Sequence, residues 1–254
     1  MPNHVTNTIR IHANPERIQE ILKDIQNDEA GIGSLDFNKL IFKPKSLNIE
    51  AGSRTQKGSE LYRAFLKESM ELIAYNLINN VPKETVNETV EKLIGKYTQL
   101  AESDPGLFTL GQQAYNNIVQ YGYPTWYEWS NANWGTKWNA YEFRPYGGGD
   151  SISFLTAWDS VPNILAALSM KYPDVSFDYS WADENIGYNV GKSTYLDGSV
   201  IDSYIPMEGS KEAYELSAEI MGVDLAIDYE LYLSEDGTTY TFREDYEEDD
   251  SLEV

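Results

Sequence analysis

The chain carries a β-α-β pattern twice, and a long helical stretch separates the two copies. In the first copy, apolar residues alternate along Val5–His12, and Asn14-Pro15-Glu16 then supplies an N-cap with proline at the first helical position. A second short strand is predicted over Phe37–Phe42. In the second copy, predicted strands over Ser151–Trp158 and Val175–Trp181 flank a helix. Two such units fold most simply into one split β-α-β sheet with its helices on one face.

Helical periodicity fills the interval between the two patterns. Apolar residues recur at helical spacing over 62–77, 86–100 and 107–121, with breaks at Val81-Pro82 and Asp104-Pro105-Gly106. These spacings predict three helices inserted into the sheet domain.

The predicted fold class is α+β: a ferredoxin-like split β-α-β antiparallel sheet with a three-helix insertion and an acidic C-terminal β-hairpin. Residues 1–45 and 150–254 are assigned to the sheet domain, and residues 56–146 to the helical insertion with its aromatic-rich segment. Gly147-Gly148-Gly149-Asp150 marks the boundary, and Asp197-Gly198 is a two-residue hairpin signal.

The C-terminal hairpin is predicted from alternation. Apolar and polar residues alternate over Val223–Leu233, with the acidic ones on one face. Glu235-Asp236-Gly237 then forms a turn into a partner strand over Thr238–Tyr246, and an acidic tail follows.

Charge is distributed unevenly along the chain. The formal net charge is −22; residues 1–100 hold 13 Lys+Arg and 13 Asp+Glu, whereas residues 101–254 hold 6 and 28. Such a field repels nucleic acids and anionic membranes, so neither is predicted to bind directly, and it attracts a basic protein surface. An acidic coat that only confers solubility is the alternative.

Cysteine is absent, which excludes disulfides, thiolate catalysis and cysteine-based metal sites and fits a reducing cytoplasm. The first residues have neither the basic nor the apolar region of a signal peptide, and no apolar run reaches the length of a membrane span. Cytoplasmic localisation is therefore predicted.

The acidic residues of the C-terminal half are the first candidate site, for protein interaction. One group shares a helix face, a second shares the face of the predicted strand, and a third belongs to the tail. A metal site is not predicted, because no calcium-loop spacing occurs. The three groups are Glu212, Glu215 and Glu219; Asp224, Asp228 and Glu230; and Glu244, Asp245, Glu247 and Glu248.

The sequence holds no recognisable catalytic motif. It lacks Gly-x-Ser-x-Gly and His-Glu-x-x-His, and its histidines, His4 and His12, sit near the two ends of one predicted strand. The triple glycine precedes a strand, unlike a phosphate loop, which precedes a helix. No catalytic residue, cofactor or metal is predicted, and an enzyme of unknown chemistry remains a third-ranked alternative.

An aromatic-rich segment, with four of the six tryptophans between residues 121 and 143, is the second candidate site. Tryptophan and tyrosine can stack on a base, each contributing about 1–3 kcal/mol. The competing interpretation is that these rings fill the junction between the insertion and the sheet. The candidate ligand-binding residues are Trp126, Trp129, Trp134, Lys137, Trp138, Asn139 and Tyr141.

Three stretches carry a family resemblance: Met1-Pro2-Asn3-His4-Val5-Thr6-Asn7, Asn133-Trp134-Gly135-Thr136-Lys137-Trp138-Asn139-Ala140, and Thr156-Ala157-Trp158. Together they resemble the YubB ferredoxin-like family of phage- and plasmid-borne proteins. The resemblance covers the first 45 residues and about 125–200, and it implies a ferredoxin-like sheet without an iron–sulfur cluster. It implies no catalytic residues, and it does not extend to the helical segment or the acidic C-terminus.

Charge and resemblance together predict a non-enzymatic acidic binding protein of a phage or mobile element, acting in the bacterial host cytoplasm. Its predicted partner is a basic host protein, and it could inhibit a defence protein by occupying its nucleic-acid groove. The alternative is a nucleotide or small-ligand binding protein that uses the aromatic segment. The sequence gives no prediction of oligomeric state.

Overall fold

The structure is a computed structural model that describes residues 3–100, 104–146 and 149–242. No helix within those ranges has the length and apolar character needed to cross a membrane. The elements in chain order are β1 (His4–His12), α1 (Pro15–Ile25), α2 (Ser53–Ile78), α3 (Lys83–Leu100), α4 (Leu107–Tyr121), α5 (Trp126–Asn133), β2 (Tyr141–Tyr146), β3 (Ser151–Ala157), α6 (Pro162–Lys171), β4 (Ser176–Asp183), β5 (Val190–Leu196), β6 (Ser199–Tyr204), α7 (Lys211–Met221), α8 (Leu225–Tyr229), β7 (Leu231–Leu233) and β8 (Tyr240–Phe242).

The chain divides into two compact units. One comprises Met1–Phe42 with Ser130–Val254 and holds the large sheet, and the other, Lys43–Trp129, is helical. Residues 130–146, which the predicted 56–146 insertion included, belong to the sheet unit, because β2 pairs with β3 there.

The sheet unit has a ferredoxin-like core. Six antiparallel strands lie in the order β2-β3-β1-β4-β5-β6. Taken in chain order, β1, α1, β2, β3, α6 and β4 form a split β-α-β-β-α-β unit, and the helical unit is inserted between α1 and β2. The predicted fold class is confirmed, and the β5–β6 hairpin extends the sheet.

The second strand of the core is not the one predicted. Residues Phe37–Lys39 form a short 3₁₀ helix, capped by Asp36, whose Oδ1 accepts from the Asn38 N–H at 2.9 Å. The second strand of the ferredoxin-like core is instead β2, which pairs with β3 and lies about 100 residues later in the chain. The predicted strand over Phe37–Phe42 is therefore wrong, because the cap and a side chain from residue 139, described below, turn the chain here.

The two faces of the sheet carry different helices. Val5, Ile9 and Ile11 of β1 are buried on one face, and Ile9 lies opposite Tyr179 of β4. The Tyr179 hydroxyl accepts from the Val161 N–H at 2.9 Å, which brings the start of α6 to that face. On the opposite face α7 packs through its apolar side, where the buried cluster consists of Ala182, Val190, Ala213, Leu216 and Ile220.

The helical unit is built around a close crossing of α2 and α4. A Cβ added at Gly58 would lie 2.6 Å from the Leu107 carbonyl oxygen, so only glycine fits there. Next to this crossing, Tyr62, Phe65 and Tyr97 form a buried aromatic cluster with Leu93. Aromatic side chains supply most of this small core.

The C-terminal region contains both predicted hairpins, but one of its predicted strands is largely helical. The Asp197-Gly198 turn joins β5 to β6, with φ of +48° and +75° as a type I′ turn requires. β7 pairs with β8 in the C-terminal hairpin. The predicted strand over Val223–Leu233 is wrong over most of its length. The side chain of Asp224 accepts from two backbone N–H groups and starts the helix α8, and only the last three residues are extended.

Candidate functional site

The three stretches that carry the family resemblance meet at one end of the large sheet. β1 begins there, and β3 and β4 end there: His4 lies opposite Ala157, and Val5 lies opposite Asp183. The carbonyl of Asn3 accepts from the Trp158 N–H at 2.9 Å. The Thr136 hydroxyl donates to the Ala157 carbonyl at 2.7 Å and accepts from its N–H at 3.1 Å. Hydrogen bonds between backbones, and between the Thr136 hydroxyl and the backbone of Ala157, therefore fix all three stretches against one another.

An exposed group of aromatic rings surrounds one lysine at this end of the sheet. The Lys137 ammonium lies 4.6 Å from the ring centroid of Trp138 and 5.0 Å from that of Trp158. Trp138 is edge-to-face with Tyr141 at 6.1 Å, and the Tyr141 hydroxyl is 2.7 Å from His4 Nδ1. These five residues are called the aromatic–lysine cluster. The two indoles keep 38% and 42% of their surface exposed, so the cluster can contact a ligand or partner.

Trp158 is held in an unfavourable backbone conformation. Its φ is +75°, in the left-handed region, which is rare for a bulky residue. Such a conformation persists only where the surroundings determine it, and it concentrates at functional sites. Here the Trp158 N–H donates to Asn3 and its carbonyl lies 3.5 Å from the amide nitrogen of Asn189, whose own φ is +41°. With this backbone, the indole lies beside Lys137, and 42% of the residue's surface is exposed.

Carboxylates border the cluster. Burial raises the pKa of Tyr141, and the charges of Glu142 and Glu184 raise it further. Glu184 acts in the same direction on the pKa of Tyr229, in α8, after burial and Asp228. Glu184 thus lies within electrostatic reach of both Tyr141 and Tyr229, and its N–H donates to the His4 carbonyl at 2.9 Å. The rim of the cluster is negative on that side.

Four of the seven predicted ligand-binding residues have other roles. Trp134 is 1% exposed, donates from its indole to the Ile41 carbonyl at 2.9 Å and packs edge-to-face on Phe37. Trp129 is also buried. In the helical unit, the ring of Trp126 has the Lys43 ammonium 5.8 Å from its centroid.

Asn139 is the fourth of these residues, and it braces the chain. Its Oδ1 accepts from the Phe37 N–H at 2.8 Å, and its amide donates to Asp36 Oδ1 at 2.7 Å. Lys137, Trp138 and Tyr141 are the predicted ligand residues that the structure brings together. Sequence reasoning did not include Trp158 among them. The signal was present, because Trp158 ends the predicted strand directly before Asp159-Ser160, where an apolar ring has no periodic reason to be buried.

The acidic residues of α7 are exposed but largely paired. Glu212, Glu215 and Glu219 are exposed on one side of the helix. Glu219 forms an ion pair with Lys192 at 3.0 Å, and Glu215 lies 3.7 Å from Lys211. These lysines reduce the negative charge that α7 offers to a partner.

The predicted strand face of Asp224, Asp228 and Glu230 does not exist. Asp224 caps α8, Asp228 Oδ2 accepts from the Asp224 N–H at 2.8 Å, and Glu230 ends the helix with φ of +55°. All three are exposed around this short helix. Glu244, Asp245, Glu247 and Glu248 lie outside the described residues.

The histidines do not meet, and His12 is 2.6 Å from Asp178, on the sheet face that carries α7. Within 3–100, 104–146 and 149–242, no group of three or more histidine and acidic side chains could hold a metal ion.

The sheet face that carries α7 has a cleft of about 670 Å³ lined by Thr8, Arg10 and Lys192. Arg10 forms an ion pair with Asp150 at 3.0 Å, and Lys192 forms one with Glu219 at 3.0 Å. Because both cations are paired, the cleft favours a neutral polar ligand over an anion.

Comparison with known proteins finds similarity to a ferredoxin-like domain over part of the chain. A family model described as a ferredoxin-like domain in Api92-like protein matches residues 133–224, which is less than half of the chain. The crystal structure of protein api92 from Yersinia pseudotuberculosis is similar at 11% identity and a TM-score of 0.35, covering 82% of this chain and 99% of that chain. Comparison with curated proteins gives no match. The matched region contains every member of the aromatic–lysine cluster except His4.

Proposed function

We propose that the chain is a non-enzymatic binding protein that recognises a basic surface on another protein through the aromatic–lysine cluster and its acidic border. The observation that supports this most is the pair of exposed indoles, Trp138 and Trp158, on a backbone fixed by three strand ends. Tryptophan is enriched among the few residues that dominate interface energetics. Rings already fixed before binding lose little conformational entropy when the complex forms.

The charge of the sheet unit favours a basic partner. Residues 1–42 and 130–254 hold 10 Lys+Arg and 31 Asp+Glu, and Glu184 and Glu142 border the cluster directly. Complementary charge accelerates encounter and excludes acidic partners. The acidic residues of α7 and α8, and those of the tail, would add long-range attraction rather than close contacts.

The test is affinity capture from bacterial lysate with the full chain, followed by titration of the captured protein against variants. Trp158→Ala and Trp138→Ala are each expected to weaken binding about 30-fold, the loss typical of an interface hot spot. Tyr75→Ala, which removes an exposed ring in the helical unit, is the matched control and should bind as the parent does. Equal affinity of all four proteins, or affinity that does not fall with added salt, would refute the proposal.

A nucleotide ligand at the same cluster is the second candidate. The Lys137 ammonium, 4.6 and 5.0 Å from the two ring centroids, favours it, since an ammonium can pair with a phosphate while a base stacks on an exposed indole face. Tryptophan fluorescence should then be quenched by ATP more than by adenosine. Lys137→Met should remove that difference, and Trp138→Ala should abolish the quenching. No quenching by either compound would exclude this candidate.

The mobile-element origin and the bacterial cytoplasm are proposed on the YubB resemblance, and the host-defence role on that resemblance together with the charge. If the partner is a nucleic-acid-binding host protein, an acidic chain of this kind would compete with nucleic acid for its groove. The captured partner should therefore lose its nucleic acid as this chain is added. A partner that holds nucleic acid and the chain at the same time would contradict the inhibitory role.

A further inference from the structure

β6 forms one edge of the large sheet, and no described strand pairs with its outer side. β6 is the last strand in the sheet order and pairs only with β5 among the described strands. No described helix or loop forms a backbone hydrogen bond to residues 199–206. A strand in this position presents a row of unpaired N–H and C=O groups, and proteins normally protect such an edge with charge, proline or a covering element.

The side chains along this edge are apolar and poorly covered. More than half of the surface of each is exposed, and Met170 of α6 sits beside the turn that begins the strand. Asp202 is the one charged residue between 198 and 207, in a half of the chain that is otherwise rich in acid. The exposed apolar residues are Met170, Val200, Ile201, Tyr204, Ile205 and Met207.

We infer that this edge is a dimer interface, in which β6 pairs antiparallel with β6 of a second copy and the two sheets become one sheet of twelve strands. Covered completely, the six exposed apolar side chains would bury roughly 700 Å² in each copy, close to the ~800 Å² that each partner of a standard stable interface buries. A basic partner is a poor fit here, because the edge offers one carboxylate to it.

The sequence of β6 selects the register. A two-fold axis at Ser203 sets Ser203 opposite its own copy, Ile201 opposite Ile205, and Asp202 opposite Tyr204, whose hydroxyl can donate to the carboxylate. An axis at Asp202 would bring two carboxylates face to face, which is unfavourable. An axis at Ile201 would centre on the residue where the β5–β6 register shifts. Of these three axes, the one at Ser203 avoids both faults.

The first measurement is sedimentation velocity of the full chain as a function of concentration and salt. The expected species is a dimer with twice the mass of one chain. Because each copy carries a net charge of −22, salt should strengthen this dimer, whereas it should weaken binding to a basic partner. Ile201→Lys is expected to raise the dimer dissociation constant at least about tenfold, through lost apolar burial and an ammonium placed opposite Ile205 of the other copy. Val119→Lys, at an exposed position of α4, should leave it unchanged.

The second measurement tests the register, and the absence of native cysteine makes it specific. Ser203→Cys should form a disulfide-linked dimer under mild oxidation, since opposed residues in an antiparallel pair lie about 4.5–5.5 Å apart between Cα atoms. Ser199→Cys, on the same strand, would face its copy across roughly 26 Å and should cross-link slowly. A monomer at every concentration overturns the inference, as does a dimer that Ile201→Lys leaves intact or in which the two cysteines cross-link at equal rates.

Discussion

Replacing Trp158 by alanine and by glycine separates the strain of its backbone from the contacts of its ring. Both variants remove the indole and its contact with Lys137, so the two losses cancel in the comparison. What differs is the cost of φ at +75°, which is about 1–2 kcal/mol for a residue with a Cβ and close to zero for glycine.

The expected order of stability follows from two opposing effects. The greater entropy of the unfolded chain makes a glycine variant less stable than an alanine variant by roughly 0.5–1 kcal/mol. At a positive φ, the alanine variant carries the larger strain energy, which glycine avoids. Trp158→Gly should therefore be more stable than Trp158→Ala by about 0.5–1 kcal/mol. At Trp138, whose φ is not positive, the order should reverse, with alanine more stable by a similar amount.

Urea unfolding followed by tryptophan fluorescence measures both pairs. With a slope of about 2–3 kcal/mol per molar urea, the midpoint for Trp158→Gly should lie ~0.2–0.5 M above that for Trp158→Ala. The pair at position 138 serves as the control for the intrinsic difference between the two residues. If alanine is the more stable replacement at both positions, the backbone of Trp158 stores no strain, and the argument from its conformation fails.

Three further predictions concern the two units separately. Gly58→Ala should destabilise the helical unit by about 1–3 kcal/mol, because a methyl group overpacks the α2–α4 crossing. Gly95→Ala, in α3 with open space around it, should stabilise the same unit by up to about 1 kcal/mol. Thermal unfolding measures both variants, and equal effects would show that α2 and α4 do not cross closely at Gly58. Hydrogen bonds from Arg54 lower the pKa of Asp104 in the folded chain below its value of about 3.8 in the unfolded chain. The pair should therefore stabilise the helical unit fully above about pH 3.8, and this stabilisation should be lost as the pH falls through the folded-state pKa. Arg54→Met should therefore narrow the difference in stability between pH 7 and pH 3, and an unchanged difference would count against the pair. Asn139→Ala should lower the free energy of unfolding of the sheet unit by about 1–3 kcal/mol, because the Phe37 N–H loses its acceptor. A urea midpoint equal to that of the parent would show that residue 139 does not brace the turn.

Local sequence signals predicted the parts of the fold that local interactions determine. The Asn14 cap and Pro15 mark the start of α1, and Asp197-Gly198 marks the β5–β6 hairpin, because a cap or a type I′ turn is decided within a few residues. β2 was missed for the opposite reason. Its pairing with β3 is irregular, with a register shift between Tyr141 and Arg144, and its role depends on strands that are distant in sequence.

The candidate site was predicted in part. A dense run of aromatic residues identified the right region but did not separate Trp134, which fills the core, from Trp138, which stays exposed. That distinction depends on tertiary contacts with Phe37 and Ile41, about 100 residues earlier. Trp158 joins the cluster through a positive φ, which the sequence of a non-glycine residue does not reveal. On α7, the lysines that pair with Glu215 and Glu219 reduced the importance of the predicted acidic face.

Oxidative footprinting of the complex with the captured partner reads the exposure of each tryptophan, and so locates the binding site without a substitution. We predict that Trp138 and Trp158 become protected when the partner binds, while Trp126 in the helical unit reacts at the same rate as in the free chain. Unchanged reactivity of Trp138 and Trp158 in a saturated complex would show that the partner binds elsewhere, and would contradict the assignment of the aromatic–lysine cluster as the binding site.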